Sequence, residues 1–303
     1  MAVELREERA TPRVRARGPL RAFVRAARPV QWSKNLLVFA GIVFAVELGD
    51  AGRWVESILI FAAFCLASSA SYLVNDTRDA ADDRAHPIKR TRPVAAGELS
   101  PTAAVTGAAV LALVSILLVV PTGWESVASV AAFLALQAAY SGGLKHLVIV
   151  DALAIAMLFV IRAVAGAVGI DVRLSPWLVL CSGLLALFLA LGKRRGELVL
   201  VSREQTSGRR VLDGYSLELV DQLVAIVTAA TISAYSIYTF TATDSSAMML
   251  TIPFVVFGLF RYLMLMHRED LGEEPENVLL TDIPILATIA LWALTSALIL
   301  GLS

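Results

Sequence analysis

Cysteine and histidine are almost missing, with two and three residues respectively among 303. Cys65 and Cys181 both fall inside apolar runs, where a thiol packs as a small hydrophobe, so no disulfide framework and no cysteine-based metal site is expected. His86 precedes a proline, and His146 and His267 stand at the ends of apolar stretches, which leaves little for histidine acid–base chemistry. Charge is also scarce at 17% of residues, and its signs cancel, with 26 Lys and Arg against 26 Asp and Glu. That balance argues against a general nucleic-acid binder. The arginine-rich N-terminus lacks the short apolar core and small-residue cleavage site of a signal peptide, so it is expected to stay on the chain.

What is abundant is apolar surface. Hydrophobic residues make up 57% of the chain, above the roughly 45–50% of globular proteins. An all-α integral membrane protein follows. Apolar segments near 35–48, 55–74, 101–120, 124–143, 148–168, 176–191, 219–243, 249–266 and 281–302 predict a bundle of nine transmembrane helices. The first is short for a span and can be completed by Pro29 to Lys34. Residues 1–20 are polar and interrupted by Pro12 and Pro19, which predicts a mobile tail ahead of a single catalytic domain at 21–303. Phe23 to Trp32 has the pattern of a short interfacial helix, with Arg21, Arg25 and Arg28 facing lipid headgroups.

Lysine and arginine gather in the N-terminal segment and in the loops after segments two, four, six and eight; the opposite loops keep essentially Arg53 and Arg173. Basic loops stay on the cytoplasmic side. The expected topology in the cell membrane is therefore N-terminus inside and Ser303 outside, with an active-site cavity open to the cytoplasm.

The stretch Asn75 to Pro93 reads NDTRDAADDRAHPIKRTRP and follows directly on the second apolar run. If the helix continues, Asp76, Asp79 and Asp83 share one face, where their oxygens and that of Asn75 can hold a hard divalent cation, Mg²⁺. Lys89, Arg90 and Arg92 come next. Carboxylates holding a metal, with cations in reach, suit a substrate rich in phosphate. A second basic loop is expected after the sixth segment, with Lys193, Arg194, Arg195, Glu197, Arg203, Arg209 and Arg210, and two such loops on one face suggest a cavity closed by both. The acidic run Glu269 to Glu276 reads as a solvated face. Asp151 and Arg162 lie eleven residues apart in the fifth segment, sharing a helical face without touching. Asp151 is placed to enter the cavity, while Arg162 and Arg261 suit structural pairing and substrate binding equally.

Asn75-Asp76-x-x-Asp79-x-x-x-Asp83 resembles the first Asp-rich signature of the UbiA superfamily of intramembrane prenyltransferases, and Tyr140-Ser141-x-x-Leu144-Lys145 is similar to its Y-S-x-x-x-K element. The resemblance covers nearly the whole chain. It implies a nine-helix fold, diphosphate binding through Mg²⁺ at the first motif, and a second acidic motif after helix six. Where aromatic prenyltransferases carry D-x-x-x-D, this chain has Lys193-Arg194-Arg195-Gly196-Glu197. Exchange of acids for bases fits a donor with more phosphate than one diphosphate. The chain is similar to the mycobacterial branch of the superfamily, whose donor is 5-phosphoribosyl 1-diphosphate and whose acceptor is decaprenyl phosphate, feeding cell-wall arabinan.

By that resemblance Asn75, Asp76, Asp79 and Asp83 take the metal and diphosphate. Lys89, Arg90 and Arg92 take diphosphate or the 5-phosphate, Lys193, Arg194 and Glu197 the donor or lipid phosphate, and Tyr140 and Lys145 the ribose phosphate side. The lipid tail would lie on apolar helix faces, and a compact bundle also admits self-association. Two rivals remain open at this point: a prenyltransferase joining a prenyl diphosphate to an aromatic or tetrapyrrole acceptor, and a membrane transporter or lipid-binding protein.

Overall fold

Strong caps open the long apolar runs. Asp50 accepts hydrogen bonds from the backbone N–H groups of Gly52 at 2.8 Å and Arg53 at 3.3 Å, and Ser100, with Pro101 behind it, accepts from Ala103 N at 3.2 Å. Both satisfy donors that a helix start leaves unpaired. A computed structural model describes residues 18–44, 49–85, 89–172, 176–204, 210–241, 246–268, 278 and 281–302. Among these, the regular elements are helices only: α1 Pro19–Ala27, α2 Ala40–Phe44, α3 Ala51–Arg78, α4 Ala80–Ala85, α5 Pro101–Leu118, α6 Trp124–Gly142, α7 Val150–Val168, α8 Pro176–Glu204, α9 Leu217–Thr241, α10 Ile252–Arg268 and α11 Ile283–Leu302, with short 3-10 segments between them. The N-terminal tail and the acidic run from Glu269 to Glu276 lie outside the described residues.

Among the described residues, five stretches are long and apolar enough to cross a membrane: Ala51–Arg78, Pro101–Thr122, Val150–Val168, Leu217–Thr241 and Ser246–Arg268. Ile283–Ile299 is a shorter apolar helix. Val110, Leu113 and Leu117 on α5 and Leu294 and Leu298 on α11 are all more than half exposed. A water-soluble chain rarely shows such faces; in lipid they are solvated by the hydrocarbon.

Three apolar clusters hold the helices together. Phe64 of α3, Phe133 of α6 and Leu158 of α7 centre one of them. Phe188 of α8, Val224 of α9 and Tyr262 of α10 centre a second. In the third, Ala22 and Ala26 of α1 pack on Ala70 and Leu73 of α3 and on Ala104 and Ala108 of α5.

The first expected span differs from its reading. Residues Pro29–Phe39 wind as a 3-10 helix and only Ala40–Phe44 is α-helical. This segment crosses α7 backbone to backbone, because a methyl group on Gly166 would run into the Val38 carbonyl oxygen. Arg162 closes the same crossing. Its Nε donates to Asn35 Oδ1 at 2.7 Å, its Nη1 donates to the Leu158 carbonyl at 2.8 Å, and Phe133 and Phe159 stack on it. The Arg162 guanidinium is thus committed to packing between segments. Arg261 is similarly engaged, 2.9 Å from Asp282.

The second charged region also differs. Lys193 to Glu197 are not in a loop, because α8 runs unbroken to Glu204. Good helix formers (Lys, Arg, Glu, Leu) follow the apolar run, so nothing there stops the helix.

Candidate functional site

Three helices, α3, α8 and α9, are longer than the roughly 30 Å hydrocarbon layer. At 1.5 Å per residue α3 is about 42 Å long and α8 about 44 Å, so each carries its last turns beyond the apolar core. Asn75 and Asp76 lie on the last turn of α3 and Arg194 and Glu197 in the C-terminal half of α8, and the other polar residues of the site come from the elements beside them. The backbone bonds Asp79 N to Asn75 O at 2.9 Å and Asp83 N to Asp79 O at 2.8 Å bridge the break between α3 and α4. The offsets of three and four residues between the aspartates thus keep helical hydrogen bonding although the chain is not one continuous helix.

Asp76 is 1% exposed and Asp83 3%, a costly place for carboxylates unless they are paired. Each aspartate has a cation from elsewhere in the chain. Asp83 Oδ2 is 2.7 Å from Arg92 Nη1, which is also 3.5 Å from Asp76 Oδ1. Asp79 Oδ1 is 2.7 Å from Lys145 Nζ, and Asp79 Oδ2 accepts from Asn75 Nδ2 at 3.0 Å. Ser141 Oγ donates to Asn75 Oδ1 at 3.3 Å. Asp76 Oδ1 is 2.5 Å from Arg28 Nη2, whereas Asp76 Oδ2 is buried with no hydrogen-bond partner among the described residues.

Asp79 and Asp83 lie within electrostatic reach of Asp76. Among the described residues, however, no three carboxylate, histidine or cysteine groups converge into a metal-binding set. The chemistry of the donors nevertheless suits a hard divalent cation, with clustered carboxylate oxygens and one buried oxygen, Asp76 Oδ2, lacking a donor.

The second cluster surrounds Arg194. Its side chain is 1% exposed, and its Nε lies 2.7 Å from Asp151 Oδ2 without a linear hydrogen bond. Its Nη1 contacts Glu197 one turn on. Tyr215 bridges to this pair: its hydroxyl donates to Asp151 Oδ1 at 2.7 Å and accepts from Ile149 N at 2.7 Å. Ile149 has φ 71°, a strained value for a β-branched residue, at the start of α7. Burial works against the Arg194 charge, but Glu197, Tyr140 and Asp151 more than offset it and raise its pKa above the ordinary arginine value. Burial and donation to Asp151 push the Tyr215 phenol up to about 12. Tyr140 at the end of α6 lies within electrostatic reach of Arg194, and Lys145, five residues on, reaches Asp79. The end of α6 therefore links the two clusters.

The structure accordingly brings Asn75, Asp76, Asp79, Asp83, Arg92 and Lys145 into one group, and Arg194, Glu197 and Tyr140 into another. Lys89 and Arg90 open a 3-10 turn at Lys89–Thr91, where Arg90 is exposed, and Lys193 is half-buried on α8. Arg195 faces away, 2.7 Å from Asp221 on α9. Arg209 lies outside the described residues.

Two arginines read as headgroup contacts are turned inward instead. Arg25 pairs with Glu98 at 2.6 Å and donates to the Thr91 carbonyl, and Arg28 pairs with Asp76. The small alanines of α1 let it lie flush on α3 and α5, which carries both guanidinium groups over the Asp-rich cluster. From the sequence Arg28 is expected at lipid headgroups rather than at the site, and Tyr215 carries no expectation. The signal for Arg28 was its position directly before Pro29, where the helix must end; Tyr215 carried none.

Comparison with known proteins gives the family and the fold. The UbiA prenyltransferase family matches residues 36–281. A Mycolicibacterium smegmatis protein named decaprenyl-phosphate phosphoribosyltransferase is 35% identical over 279 residues, 86% of each chain. A Corynebacterium glutamicum protein of the same name is 32% identical over 93% of this chain and 86% of its own. Among solved structures, a UbiA homolog from Archaeoglobus fulgidus bound to GPP and Mg²⁺ superimposes with a TM-score of 0.72 at 18% identity, covering 90% of this chain and 97% of that one. The chain belongs to the UbiA prenyltransferase family.

Proposed function

We propose that this chain moves 5-phosphoribose from 5-phosphoribosyl 1-diphosphate to decaprenyl phosphate in the cell membrane, releasing diphosphate and giving decaprenylphosphoryl-5-phosphoribose for the synthesis of cell-wall arabinan precursors. The observation that carries the reading is the second cluster. A buried arginine, Arg194, stands where aromatic prenyltransferases place acids, in a chain about a third identical to relatives named for this activity. A prenyl donor needs one diphosphate held; a phosphoribosyl donor and a lipid phosphate acceptor bring two more phosphate groups, which cations must meet.

The nine segments and the inward-facing basic loops expected from the sequence favour a cytoplasmic position for both clusters, on the side where such a donor is found. Asn75, Asp76, Asp79 and Asp83 would hold Mg²⁺, which would supply positive charge against that developing on the departing diphosphate. Lys145 and Arg92 are placed to follow the diphosphate oxygens, and Arg194, held by Asp151 and Glu197, to receive a further phosphate. The bond between the anomeric carbon and the diphosphate oxygen breaks with its electron pair on diphosphate, and a lipid phosphate oxygen forms the new bond. That oxygen is already ionised at neutral pH, so no side chain has to remove a proton, in keeping with a chain of three histidines.

The test is to give purified protein Mg²⁺, labelled 5-phosphoribosyl diphosphate and decaprenyl phosphate in one tube, and a prenyl diphosphate with aromatic acceptors in another. Label entering the organic phase of the first tube, and lost on chelation, is expected. A prenylated aromatic in the second tube alone would overturn the donor and leave the family standing.

A further inference from the structure

The three aspartates of the first cluster face three cations from distant parts of the chain: Arg28 at the end of α1, Arg92 after the 3-10 turn, and Lys145 after α6. Three negative charges meet three positive ones, so the group is neutral as it stands. Arg28 differs from the other two in being aimed at the buried carboxylate by a costly backbone. It has φ 52° and ψ 62°, a left-handed conformation at a non-glycine residue, directly before a proline that disfavours helical geometry in its neighbour. Two residues one turn apart on α3 hold the guanidinium: the Tyr72 ring, with its centroid 4.9 Å away, and Asp76. Strain of this sort persists where the surroundings enforce it, and it concentrates at functional sites. The Arg28 side chain is 27% exposed and Asp76 1%, so Arg28 stands between solvent and the buried carboxylate.

A divalent cation entering at Asp76 Oδ2 would compete with Arg28, which is on Oδ1, for the charge of the same carboxylate. An arriving diphosphate offers the guanidinium a planar, bidentate alternative. We propose that Arg28 is a diphosphate-binding residue that couples the two ligands: it holds Asp76 against a lone metal ion and transfers to the diphosphate when metal and diphosphate enter together. The inference rests on the metal and diphosphate reading given above. It makes α1 part of the substrate site rather than a headgroup anchor, with Arg25 on Glu98 and Thr91 fixing its approach. Metal and diphosphate then raise each other's affinity by one common factor, as linkage requires, and Arg28 supplies part of that factor.

The test measures Mn²⁺ binding to the purified full chain by electron paramagnetic resonance, with and without inorganic diphosphate, for the wild type, Arg28→Gln and Arg28→Lys. For Arg28→Gln, Mn²⁺ alone is expected to bind roughly tenfold tighter than to the wild type, because the rival charge has gone, and the enhancement by diphosphate to fall roughly tenfold. Arg28→Lys keeps the charge without the fork, and its enhancement is expected to lie between the other two; it carries the test if the glutamine variant does not fold. Equal enhancement in all three proteins would overturn the proposal and leave the metal reading intact. Weaker Mn²⁺ binding by Arg28→Gln in both conditions would assign Arg28 a merely structural role and overturn it too. No Mn²⁺ binding by the wild type in either condition would overturn the metal reading itself, and this proposal with it.

Discussion

Arg194 Nε sits 2.7 Å from Asp151 Oδ2 in a place where neither side chain reaches solvent. The arrangement joins α7 to α8 through opposite charges, with Tyr215 closing it from the loop before α9. Breaking a buried pair by removing one partner costs about 3–5 kcal/mol, because the other charge is left stranded. Asp151→Ala is expected to lower thermal stability in detergent by an amount in that range, tempered by Glu197. An unchanged unfolding temperature would mean that Glu197 alone holds the guanidinium.

Lys145 is expected to act on the donor rather than on the fold. It is half-buried and, among the described residues, its ion pair is with Asp79, so Lys145→Ala should fold. A charge-assisted contact is worth about 1.5–3 kcal/mol, which predicts a fall in kcat/KM for the phosphoribosyl donor of roughly tenfold to a hundredfold. Steady-state kinetics at saturating lipid acceptor would show it. A change confined to the KM for the lipid would place Lys145 on the acceptor side instead.

The membrane character and the two charged regions were legible in the sequence because apolar runs and their polar ends are local patterns. The aspartates could be placed on one face because their offsets of three and four survive the short break at Asp79. Arg28 was not legible: its partner lies 48 residues away, and an amphipathic arginine-rich helix has the same pattern whether its cations face lipid or protein. Asp151 could be singled out as a charge in an apolar segment, but its partner Arg194 was assigned to a loop. The helical continuation of α8 depends only on the lack of a breaker, a weak signal beside a run of three bases. The 3-10 winding of Pro29–Phe39 reflects a tertiary crossing with α7 that no local pattern announces.

That crossing gives a stability prediction whose sign is decided by magnitude. Glycine to alanine in a helix ordinarily gains about 1 kcal/mol. At Gly166 the new methyl would meet the Val38 carbonyl oxygen, which is backbone and cannot rotate away. Overpacking of this sort costs about 1–3 kcal/mol or more, so Gly166→Ala is expected to lower the unfolding temperature. A rise would show that the Pro29–Phe39 segment can move off α7 freely.

Tyr215 predicts a pH effect on stability. Its pKa is raised to about 12 in the fold by burial and by donation to Asp151, against about 10 in an unfolded chain. The folded state keeps the proton longer, so the contribution is complete below about pH 10 and fades as pH rises towards 12. Thermal unfolding between pH 8 and 11 should show the wild type losing its advantage over Tyr215→Phe only above about pH 10. A constant difference across that range would mean that the phenolic proton is not held by Asp151.

In the function proposed above, the Asp-rich cluster serves the transfer of phosphoribose to a lipid phosphate. The most direct measurement is mass analysis of the organic phase after incubating wild type and Asp76→Asn with 5-phosphoribosyl diphosphate, decaprenyl phosphate and Mg²⁺. The wild type is expected to yield decaprenyl phosphate heavier by one phosphoribosyl group, and Asp76→Asn, a folded protein of equal amount, to yield at least about a hundredfold less. Equal product from both proteins, or unmodified decaprenyl phosphate from the wild type, would contradict the claim.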